Sequence, residues 1–145
     1  MHPSLKISSL ITAVIFSSPG LSNEANITTG AKDFAEHCSA CHGKDAKGFG
    51  PMVTQLKLRA SDLTRLSLDN GGKFPSKKIS DLIDGRADKG LSRAHSNGEM
   101  PSWGATFRQE KGLSAASNIT AEKQIKVRIN NLVQYIRALQ IPVKQ

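Results

Sequence analysis

The sequence predicts an all-α domain, on three observations. Apolar residues recur at steps of three and four in separate stretches, with helix caps or stops at their ends. No stretch reads as a strand of more than a few residues. Repeats and low-complexity tracts are also missing, and 145 residues suit one domain.

The elements follow in chain order. Lys6, the apolar run from Ile7 to Phe16, the break at Ser17-Ser18-Pro19-Gly20 and a small-residue zone ending near Ala25 read as an export signal. The run is too short to span a bilayer comfortably, so cleavage after Gly20, Ser22 or Ala25 is expected rather than retention as an anchor. Residues 1–25 are thus assigned to a signal and 26–145 to the domain. Thr28 or Thr29 can cap a helix through about Ser39, with Ala31, Phe34, Ala35 and Cys38 on one face. Gly43, Gly48, Gly50 and Pro51 mark a loop. A short helix is expected from Ser61 or Asp62 to Leu68, ended by Asn70-Gly71-Gly72. Another runs from Ser76 to Asp84, with Ile79, Leu82 and Ile83 inward and Gly85 as its stop. Residues 86–118 read as loop. Thr120 caps the longest helix, about Ala121 to Gln140, with Ile125, Ile129, Leu132, Val133, Ile136 and Leu139 as its stripe and Pro142 beyond its end.

Formal net charge is +8. Such an excess can steer docking to an acidic partner or can be a plain solvated surface. Aromatic residues are few and no helix-turn-helix spacing or stacking platform stands out, which argues against nucleic acid. Catalytic signatures are missing too: there is no Gly-x-Ser-x-Gly, phosphate-binding glycine loop or His-Glu-x-x-His, so the chain is not expected to be an enzyme.

The chemistry lies in Cys38-Ser39-Ala40-Cys41-His42, which uses both cysteines of the chain. Cys-x-x-Cys-His is the attachment pattern of c-type haem. Each thiol would form a thioether with one vinyl group, and His42 would be the proximal iron ligand. Alternatives for the pair are a redox dithiol, half of a zinc site completed from His37, His42 or His95, or a small-loop disulfide. No βαβ pattern precedes the pair, and no finger spacing supports zinc. For the distal ligand Met100 is the best candidate, in a loop stiffened by Pro101. A thioether is soft and neutral and favours reduced iron. His95 is the rival; Met52 follows His42 too closely, and Met1 lies in the signal.

With these residues in view, the chain from about 28 to 141 resembles a class I cytochrome c of the small bacterial monohaem type. The resemblance rests on Cys38–His42, on Gly43-Lys44-Asp45-Ala46-Lys47-Gly48-Phe49-Gly50-Pro51, on Ala94 to Gly104 around Met100-Pro101-Ser102-Trp103, and on the last helix with Tyr135-Ile136-Arg137-Ala138-Leu139. It implies one covalent haem c with its iron, and first and last helices that cross with Phe34 near Tyr135. It also implies that the Pro51 carbonyl accepts from the His42 ring, and it makes Arg86 and Trp103 possible propionate partners. Haem attachment outside the bacterial cytoplasm fits the export signal and a periplasmic location. The implied function is a periplasmic carrier of single electrons with His/Met ligation, serving redox proteins that present acidic docking surfaces. The alternative is a fixed haem subunit of a periplasmic dehydrogenase or membrane-bound oxidase; an open-iron enzyme or gas sensor would need Met100 absent or displaceable. The polar stretch from Gly104 to Ser117 is longer than a minimal domain of this type needs, and is expected to wrap the haem edge or to dock a partner.

Overall fold

The computed structural model describes residues 20–86, 100–112 and 119–142. His95 and residues 1–19 of the expected signal lie outside the described residues, whereas residues 20–25, assigned to that signal from the sequence, are the start of a helix. Among the described residues there are five α-helices: α1 (Gly20–His37), α2 (Ser39–His42), α3 (Ser76–Asp84), α4 (Trp103–Glu110) and α5 (Ile119–Ala138). No strand occurs among the described residues, and the expected all-α class holds.

The apolar stripe of α5 makes it the central element, and α1, α3 and α4 all pack on it. Phe34, Phe107, Ile125, Ile129 and Leu132 are the largest fully buried side chains. The expected crossing of first and last helices is present. Gly30 makes it close: a Cβ there would stand 2.1 Å from the Asn131 carbonyl oxygen. One turn on, the Phe34 and Tyr135 rings meet at 5.3 Å, within the range of a tilted aromatic pair.

Three expectations need correction. α1 starts at Gly20, and Thr29 does not cap it; its hydroxyl donates to the Ala25 carbonyl at 2.9 Å inside the helix. The helix expected over 61–68 is instead a pair of tight 3₁₀ turns, Leu63–Arg65 and Leu68–Asn70. Asp62 caps the first by accepting from the Thr64 N–H at 2.9 Å. Gln140, at the end of α5, then holds both turns: its amide donates to the Leu63 carbonyl at 2.7 Å and accepts from the Ser67 N–H at 2.8 Å. Third, residues 103–110 are helix, not loop. Gly104 and Phe107 on α4 are buried, so one face of this part of the polar stretch belongs to the core, while Ala105, Gln109 and Glu110 stay exposed. Residues 113–118 lie outside the described residues.

α3 runs from Ser76 to Asp84 as expected, and Gly85 closes it at φ 81°. No described helix is long and apolar enough to cross a membrane.

Candidate functional site

α1 ends at His37, and one further turn presents the cysteine motif. The Cys38 carbonyl accepts from the Cys41 N–H at 3.2 Å and the His42 N–H at 2.9 Å. That turn places Cys38, Cys41 and His42 on one wall of a cleft with about 550 Å³ of open space. Leu56, Leu58, Ala60 and Ser61 line another part, and Met100, Pro101 and Trp103 close it. Both cysteines, the proximal histidine candidate and the distal methionine candidate therefore share one mostly apolar cleft.

The loop after the motif folds back on it. Gly48 donates to the His42 carbonyl at 2.7 Å, and Leu63 donates to the Ala46 carbonyl at 2.8 Å. Gly48, at φ 84°, lets residue 60 come close; a Cβ there would be 2.1 Å from the Ala60 carbonyl oxygen. The neighbouring Ser61 carbonyl consequently reaches the His42 ring, with Nδ1 to oxygen at 3.0 Å. A carbonyl can only accept, so Nδ1 carries the proton and Nε2 keeps its lone pair. Burial pushes the His42 pKa down, and the Ser61 bond offsets part of that. The ring is therefore a neutral imidazole oriented as a ligand. This corrects the expected Pro51 acceptor: Pro51 is exposed, and the path of the loop gives its place to Ser61.

Cys38 is a partly buried thiol. Burial, then Asp33 and Cys41, push its pKa up to about 12. A redox dithiol needs a thiolate, which such an environment opposes. The metal-like cluster among the described residues is Asp33, Glu36 and His37, and it includes neither cysteine. Its Asp33 is already engaged by Arg128.

Trp103 lies in the cleft wall, its ring tilted against the His37 ring at 5.1 Å, and His37 also meets Phe107 at 5.5 Å. Arg128 of α5 sits 3.8 Å over the Phe107 ring. It donates to Asp33 at 2.9 Å, to Glu110 at 2.6 Å and to His37 Nε2 at 2.8 Å. His37 is thus fixed as part of an aromatic wall. Arg86, a possible propionate partner by the resemblance, pairs with the buried carboxylate of Asp84 and is not in the cleft lining.

The donor set fits a haem: two thiols and an oriented neutral imidazole on one helical turn, an apolar slot beside them, and a thioether in the lining of the same cleft. Helical fold and site together define a c-type cytochrome domain, which carries covalently bound haem c with its iron and serves as an electron carrier or as a subunit that relays electrons. The chain belongs to the family described as cytochrome c oxidase, cbb3-type, subunit III, whose model matches residues 25–116. No curated protein and no solved structure matches the chain.

Sequence reasoning missed Ser61, Asp84 and the Arg128–His37 contact. A backbone carbonyl acceptor has no side-chain signature, and Arg128 is separated from Asp33 by most of the chain. Only Gly48 and Gly104, which permit close approaches, hinted at these meetings.

Proposed function

We propose that the chain is an exported, periplasmic carrier of single electrons with one haem, held by thioethers from Cys38 and Cys41 and ligated by His42 and Met100. When bound, the haem supplies a reversible ferric–ferrous couple. The protein supplies the rest: Cys38 and Cys41 fix the macrocycle's edge, and Ser61 orients the His42 ring. Met100 offers a neutral sulfur that favours the reduced state, and the apolar walls exclude water. The observation that carries the reading is the presence of His42 and Met100 in one cleft with both thiols. The single Cys-x-x-Cys pair supports one haem.

The segment beside the cleft supports docking to an acidic redox partner. Lys44, Lys47, Lys57 and Arg59 are exposed there, with Arg59 lying 4.6 Å over the exposed Phe49 ring. Apolar Met52 and Leu58 are exposed beside them. Weak, charge-steered contact suits a shuttle. The family match favours a second reading, a fixed haem subunit of an oxidase complex. Size-exclusion of natively extracted protein separates the two: a free small species supports the shuttle, and co-elution with a large complex supports the subunit.

Visible spectra of the oxidised and reduced protein test the site. A low-spin spectrum with a methionine–iron charge-transfer band at the red edge is expected, and Met100→Ala should abolish that band and turn the iron high-spin. An unchanged low-spin spectrum in the variant would transfer the distal role to His95.

A further inference from the structure

Asp84 is a buried carboxylate to which the proposed electron-transfer chemistry gives no task. Its side chain is 2% exposed. Aspartate is rarely buried to that extent without partners. It faces two guanidinium groups, Arg86 beside it and Arg108 of α4 at 3.6 Å. Arg108 is held in turn by Glu122 of α5 at 2.6 and 3.0 Å.

Around this charge the end of α3 is pressed onto the start of α4. A Cβ on Gly104 would lie 1.8 Å from the Asp84 Oδ1. Only glycine lets the carboxylate approach this closely at the first turn of α4, where the helix dipole favours a negative charge. The Ser102 hydroxyl donates to the Asp84 carbonyl at 3.0 Å. Gly85, in the left-handed region at φ 81°, packs so closely on Ser102 that a Cβ would stand 2.0 Å from its Oγ. Met100 and Pro101 run directly into Ser102. The direction from which the sulfur enters the cleft is therefore set where residues 84–85 meet residues 102–104.

We propose that Asp84 is a positioning residue for Met100: its buried carboxylate packed on Gly104, its main-chain carbonyl accepting from Ser102, and Gly85 packed on Ser102 join the end of α3 to the start of α4 and so fix the base from which Met100 reaches the cleft. This rests on the reading of Met100 as distal ligand. Asp84→Asn keeps the shape and removes the charge that holds the two arginines.

The test uses the full haem-loaded ferric protein with imidazole as the competing ligand. Imidazole can bind iron only when the methionine sulfur is away, so its apparent affinity reports the population with Met100 detached. Asp84→Asn is expected to raise that affinity about tenfold. Gly30→Ala, which strains the distant α1–α5 crossing, should lower the melting temperature and leave imidazole binding unchanged. A melting temperature lowered by Asp84→Asn with wild-type imidazole affinity would overturn the proposal, because it would leave Asp84 a purely structural role. If Asp84→Asn does not fold, Ser102→Ala removes the hydroxyl tie more gently; raised imidazole affinity supports the proposal and unchanged affinity overturns it. Met100→Ala keeps the two readings apart. If its spectrum equals wild type, the ligand assignment itself has failed.

Discussion

His42 depends on a bond to a backbone oxygen, so the side chain that matters most for its orientation is one that does not exist. Gly48 is the residue that lets the 60–61 segment lie against the motif. Gly48→Ala places a Cβ in the left-handed region and against the Ala60 carbonyl, and should destabilise the protein by about 1–3 kcal/mol. It should also weaken the Nδ1–Ser61 bond. A weaker bond makes the imidazole less basic and less able to support ferric iron, so the reduction potential should rise. Ser61→Ala keeps the carbonyl and should leave stability within about 0.5 kcal/mol of wild type. Urea unfolding and voltammetry of the two variants check both statements; equal effects would mean that the serine hydroxyl matters. The same residues show where the sequence is readable at this scale. Cys38, Cys41, His42 and Met100 announce themselves through scarce, chemically committed side chains, and the fold gathers all four in one cleft. Pro51 holds the acceptor role only in what the family resemblance implies. Ser61 won it because the Ala46–Leu63 bond fixes where the chain passes, which no local pattern encodes.

Among the helices, α3 and α5 were legible and α4 was not. α3 has a proline before it, an apolar stripe and a left-handed glycine after it. α5 carries a long stripe of branched apolar residues. α4 buries only Gly104 and Phe107, too little for a periodic signal. Its stability comes from tertiary contacts, as is common for short helices: Phe107 under Arg128, and Arg108 tied to Glu122. The second tie has a pH signature. The hydrogen bonds from Arg108 hold the Glu122 carboxyl below its usual value of 4.5. A lowered folded pKa contributes stability that is fully present above the unfolded value and is lost as pH falls through the folded one. Glu122→Gln should therefore melt below wild type at neutral pH, and the difference should close as the solution is acidified below the ordinary carboxyl range. Thermal melts of both proteins across pH check this; a gap that stays constant into acid would mean that the pair's charge contributes nothing.

Across the whole molecule, the cleft borders a single core. The fully buried side chains gather around α5, while Leu56, Leu58 and Trp103 on the cleft side turn apolar surface toward open space. Partly buried Cys38, Met100 and Trp103 pack against that core and also line the cleft, so a group filling the slot is continuous with the interior. A flat apolar macrocycle there takes the place of the side chains that a chain of this size lacks, and a ligand bound to the folded state alone shifts folding toward that state. Covalent attachment makes the effect independent of free haem concentration. Removing the thioethers should therefore damage folding as well as redox chemistry. Cys38→Ala or Cys41→Ala, expressed with export and haem-attachment machinery present, should give little folded, coloured protein, and what is recovered should unfold at lower temperature and with a broader transition. The basic surface survives these substitutions, so loss of charge or solubility cannot account for such a result. Far-UV circular dichroism melts and intact mass decide the matter. Wild-type yield and a sharp wild-type transition in a variant without the haem mass would mean that the protein core suffices alone, and that the cleft is not built around an attached cofactor.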